Sequence, residues 1–74
     1  MNLEIRTNDG STIDKNLDIP DSMGYGLLIG DEFSYGSYGC YVIVKKHFML
    51  GDLSKAVSLT LIVRERKEYQ THAE

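Results

Sequence analysis

Apolar and polar residues alternate with a period of two along most of this 74-residue chain, and helical spacing is scarce. In an extended strand successive side chains point to opposite faces, so such alternation marks strands with one buried side. Leu3 and Ile5 fall on one side of the first such stretch, Glu4 and Arg6 on the other. Asn8-Asp9-Gly10 is a turn signal, and Ile13, Leu17 and Ile19 then alternate with polar residues, which predicts a β-hairpin. A two-residue turn would set Ile5 opposite Asp14. A three-residue Asn8-Asp9-Gly10 loop instead pairs Ile5 with Ile13 and Thr7 with Ser11, keeping each face of one character. That loop asks Gly10 to adopt the left-handed conformation. It also sets Glu4 opposite Asp14 and leaves Lys15 on the apolar face, reaching out at its edge.

Pro20 ends the second strand, and Asp21-Ser22-Met23-Gly24 reads as a loop. A short strand over Tyr25 to Ile29 follows, broken at Gly30-Asp31, and Glu32-Phe33 begins another. Tyr41 to Leu50 and Ala56 to Arg66 are long strands that form a second hairpin. Between them Gly51-Asp52-Leu53-Ser54 turns the chain, with room for a single helical turn near 51–55 capped by Asp52. On the last strand Val57, Leu59, Leu61 and Val63 share the inner face, while Ser58, Thr60, Ile62, Arg64 and Arg66 share the outer one. Residues 1–66 read as a single β domain and 67–74 as a polar tail. The fold class is all-β: a small curled antiparallel sheet or barrel of about five strands, SH3-like or OB-like in size and strand number. Closing the sheet would remove edges that so short a chain cannot otherwise cover.

Composition sharpens this picture in three places. The chain has one cysteine, Cys40, so no internal disulfide staples the fold, which fits a reducing compartment. No apolar run approaches the ~20 residues of a membrane helix, and the N-terminal residues show no apolar leader, so a cytoplasmic protein without a membrane partner is expected. The net charge of −3 is uneven: residues 1–40 carry seven carboxylates against two cations, residues 41–74 four against six. An acidic and a basic side are therefore expected.

Candidate chemistry follows from side-chain type. Phe33 to Tyr41 interleaves Tyr35, Tyr38 and Tyr41 with glycine and serine, a composition suited to contact because tyrosine offers a large amphipathic surface with few torsions to freeze. By strand parity Tyr41, Ile43 and Ile62 lie on the outward face, where with Tyr35 and Tyr38 they would make an apolar contact patch. Lys45, Arg64 and Arg66 share that parity, with His47 nearby. Cations beside aromatics on a sheet suit a single-stranded nucleic acid, although the acidic balance of the whole chain opposes it. Glu4, Asp14 and Asp18 would form an acidic face that steers a partner. No metal-ligand spacing or cofactor motif is present, and an extended strand would hold Cys40 and His47 roughly 23 Å apart, on opposite faces. The reading is a small non-enzymatic protein-binding module: an adaptor, inhibitor or regulatory accessory protein of bacterial or phage type. The alternatives are a nucleic acid-binding barrel and a structural homo-oligomer.

Overall fold

A computed structural model of the chain describes residues 1–37, 39–51 and 56–66. They form a single five-stranded sheet curled into a half-barrel, with one short helix. In chain order the elements are β1 (Asn2–Thr7), β2 (Thr12–Asp18), α1 (Asp21–Gly26), β3 (Glu32–Tyr35), β4 (Gly39–Leu50) and β5 (Ala56–Arg66). Across the sheet the strands run β2-β1-β5-β4-β3. All neighbours are antiparallel except β1 and β5, which pair in parallel from Asn2 opposite Ser58 to Thr7 opposite Val63. The purely antiparallel sheet expected from sequence is thus corrected at its centre. Alternation marks strands, but it carries no information about which strand comes back beside which. Parallel pairing needs a long crossover, and the whole of β2, α1, β3 and β4 provides it.

The centre of the sheet is where the apolar alternation is cleanest and β-branched residues are densest, a composition that packs well on a pleated surface. Leu3 and Ile5 of β1, Tyr41 and Ile43 of β4, and Leu59, Leu61 and Val63 of β5 form the buried core. Val57, assigned by parity to that inner face, is half exposed, because the β4–β5 hairpin runs on past the start of β1, opposite Ser58.

The first hairpin begins as the three-residue loop requires. Thr7 N–H donates to Ser11 O at 2.8 Å and Gly10 takes φ +99°. The register then shifts twice, so that Ile5 faces Asp14 and Leu3 faces Leu17. The Ile5–Ile13 and Glu4–Asp14 pairings are therefore replaced. Each bulge places an extra residue on β2, which bends the strand and resets its parity. Lys15 is exposed as a result, rather than reaching out from the apolar face.

The segment read as a loop and short strand is instead α1 and a turn. Pro20 at the N-cap (φ −62°) and Asp21 in the first turn start the helix, and Leu27 N–H closes it on Met23 O at 3.2 Å. Gly24 is buried, and a Cβ there would lie 2.6 Å from Met1 Sδ. The absent side chain is what lets α1 sit down on Met1 and on Leu59. Tyr38, residues 52–55 of the helical turn expected near 51–55, and the tail 67–74 lie outside the described residues.

Candidate functional site

The register of β4 on β5 decides what each face offers. Ile43 faces Val63, but Lys45 faces Ile62 and Lys46 faces Leu61, so Val44 is the extra residue of a bulge. Before the bulge Tyr41 and Ile43 share the inner face; after it Lys46 and Phe48 do. The outward apolar patch expected from Tyr41 and Ile43 is therefore corrected: Tyr41 is buried and Ile43 is fully sealed. Parity counted back from the far end of the strand crosses the bulge and inverts. Phe33 packs on Tyr41 with ring centroids 5.8 Å apart, fixing that ring inside. Ile62 does face outward, beside Val42. Val42 is nevertheless buried.

The outer face is otherwise polar. Arg64 and Arg66 stand opposite Val42 and Cys40, with Lys45 opposite Ile62, so the three candidate cations do share one face. Arg66 pairs with Glu32, and Arg6 with Glu4 at 2.6 Å. Among the described residues no aromatic ring joins them there, since Phe33, Tyr35, Tyr41 and Phe48 all pack on the inner core. The same bulge brings Cys40 and His47 onto one face, against the opposite faces expected. They remain seven residues apart along one strand, roughly 23 Å, and Cys40 Sγ lies instead 3.2 Å from Ser34 Oγ.

The acidic row also divides. Glu4 is engaged by Arg6, and Asp18 is almost wholly exposed at 98 %. Asp14 is turned by the β2 bulges to the side of Ile5 and accepts the Tyr35 hydroxyl. That bond holds the Asp14 carboxyl below its ordinary range, helped by the backbone N–H of Asn16. Tyr35 and Asp14 belong to the two outermost strands, β3 and β2. Their contact ties the rims of the half-barrel across its open side.

Inside that rim lies a cleft of about 280 Å³. Leu17 and Ile19 supply one wall and Phe33, Ser34 and Tyr35 the other, with Leu3, Ile5 and Leu61 as the floor. Met23 and Leu27, from α1 and the residue that caps it, close one end. The chain from Met23 to Ile29 then continues outward. Met23 and Tyr25 are half exposed, and Leu28 and Ile29 are 59 % and 65 % exposed. Hydrogen bonds and ring contacts anchor this segment to β4. Lys46 Nζ donates to Leu27 O, and it lies 5.1 Å over the Phe48 ring, on which Tyr25 packs at 5.6 Å. A cation here satisfies carbonyls left over at the end of α1. Leu28 N–H donates to Asp31 Oδ2 at 2.8 Å, and Gly30 N–H to Ile43 O at 2.8 Å. Sequence reasoning missed this segment. Its signal was present as Met23-Gly24-Tyr25-Gly26-Leu27-Leu28-Ile29, an apolar run without the alternation that would bury it in a sheet.

Among the described residues no group of three or more metal-ligating side chains converges, and no helix is long and apolar enough to cross a membrane. No protein-family model matches the chain, and no curated protein or solved structure is significantly similar to it.

Proposed function

We propose that this protein is a small non-enzymatic protein-binding module whose contact surface is the exposed apolar segment from Met23 to Ile29. The observation carrying this reading is that Met23, Tyr25, Leu28 and Ile29 are all half exposed or more within seven consecutive residues. Scattered apolar residues are ordinary on a protein surface, but a contiguous patch on a rigid support marks an interaction site. Hydrogen bonds to Asp31 and Ile43 pre-order the segment, so little entropy is lost when a partner docks. Tyr35 contributes by tying the rim rather than by direct contact. Among the described residues the basic outer face lacks the stacking rings a single-stranded nucleic acid would use.

The double substitution Leu28→Ser, Ile29→Ser tests this. Both side chains point into solvent, so the circular dichroism spectrum and unfolding midpoint are expected to stay put. Capture of a specific partner from the source organism's lysate is expected to drop at least tenfold relative to the parent chain. Undiminished capture by the folded double variant would overturn the reading. Concentration-dependent sedimentation that the double variant abolishes would instead make a second copy of the chain the partner.

A further inference from the structure

We propose that the cleft between β2 and β3 is a binding site for a small, uncharged, apolar molecule about the size of two or three aromatic rings. The cleft shares Met23 and Leu27 with the exposed segment, but Leu28 and Ile29 are not part of its wall, so substitutions there tell the two surfaces apart. Size comes first. An apolar cavity of about 150 Å³ already stays dry and holds benzene, and ordinary ligand pockets begin near 300 Å³. At about 280 Å³ this cleft exceeds the first and falls just short of the second.

Chemistry narrows the occupant further. Of the ten residues in the lining, only Ser34 and Tyr35 bring side-chain oxygen, and none carries a charge. The Tyr35 hydroxyl already donates to Asp14, so a carboxylate stands at that rim, while the Lys46 and N-terminal ammonium groups are engaged on the Leu27 and Ile19 carbonyls behind the wall. An acid such as a fatty acid would give up its hydration without finding a cation among those ten residues and would approach the Asp14 carboxylate, a costly exchange. A neutral molecule has neither cost and covers apolar wall that water otherwise wets, at roughly 25 cal/mol for each Å².

The walls are also built to yield. β2 and β3 are the edge strands, each paired on one side only, and they meet through the Tyr35–Asp14 contact. Edge strands with few buried contacts open at lower cost than a sheet centre, which gives a ligand its way in.

Fluorescence titration with a matched pair of probes tests the proposal on the intact chain: N-phenyl-1-naphthylamine, which is uncharged, and its 8-sulfonate, which has the same ring system with one negative charge. The uncharged probe is expected to brighten, saturate at one site and bind at least tenfold tighter than the sulfonate. Leu27→Trp, which fills one end of the cleft, is expected to abolish that signal, while Leu28→Ser, Ile29→Ser leaves it unchanged. Asp14→Asn is expected to narrow the gap between the probes by raising the affinity of the sulfonate. No brightening of the uncharged probe by the folded chain would overturn the proposal, as would equal affinity for both probes. Loss of the signal in the Leu28, Ile29 variant, with retention in a folded Leu27→Trp, would place the probe on the exposed segment and would also overturn it. If Leu27→Trp fails to fold, the probe pair and Asp14→Asn still decide.

Discussion

β5 and β2 are both amphipathic strands of one sheet, yet they finish in opposite states. On β5, Leu59, Leu61 and Val63 are fully sealed. On β2, Ile13 and Leu17 reach only partial burial, although both pack against the same core. The difference lies in neighbours rather than in side chains. β5 has a strand on each side, whereas β2 has one neighbour and faces β3 across an open seam. Apolar residues pointing into a curled sheet are buried only where another wall stands opposite them. This half-barrel has a filled centre and an unfilled rim, and the surfaces suited to binding lie along that rim.

Substitutions at matched positions sharpen the contrast. Leu59→Ala should cost about 2–5 kcal/mol, the range for deleting a sealed leucine. That is close to half the stability of a domain this small, which at 0.05–0.15 kcal/mol per residue is roughly 4–11 kcal/mol. Leu17→Ala should cost about 1 kcal/mol, because a half-buried leucine gives up less transfer energy and leaves no new closed cavity beside an existing cleft. Urea unfolding of both variants measures the ratio. Equal losses would mean that the rim is packed as tightly as the centre.

Much of this was legible in the sequence, for one reason. Side-chain parity along β1 and β5 is unbroken, so Leu3, Ile5, Leu59, Leu61 and Val63 read as core, and core they are. The bounds of β5 and the left-handed Gly10 were legible too. Legibility failed wherever one extra residue entered a strand. The bulge at Val44 carried Tyr41 and Ile43 inside, and the bulges on β2 turned Asp14 toward Tyr35. A bulge leaves no mark in a period-two pattern except the change of phase itself, which a run such as Val42-Ile43-Val44, apolar at every position, conceals. Helix α1 was hidden by its two glycines, although Pro20 and Asp21 stood where a helix begins. The cleft was hidden because it depends on β2 and β3, consecutive strands of the chain set at opposite edges of the sheet, meeting through the Tyr35–Asp14 contact.

A smaller effect concerns the seam's own latch. The Asp14 carboxyl is held low by the Tyr35 hydroxyl, and Asp9, at the hairpin loop, by the Thr7 hydroxyl and Ser11 N–H. A carboxyl whose folded pKa lies below its unfolded value near 3.8 adds stability above that value and loses it as pH falls through it toward the folded pKa. The unfolding midpoint should therefore drop on acidification through and below pH ~4. Tyr35→Phe removes the principal cause of the Asp14 shift and should flatten that drop in part while leaving the Asp9 share. An acid profile identical to that of the parent chain would mean that the hydroxyl does not hold the carboxylate in solution.

Native-state hydrogen exchange, read amide by amide, tests most directly whether this molecule has a tight centre and a loose rim. Amides of β5 from Leu59 to Val63 should exchange only through global unfolding, with the free energy that urea reports. Those of β2 and β3 should open at clearly lower free energy, and should gain protection when the uncharged naphthylamine is present. Uniform protection across all five strands, unaltered by the probe, would contradict the account.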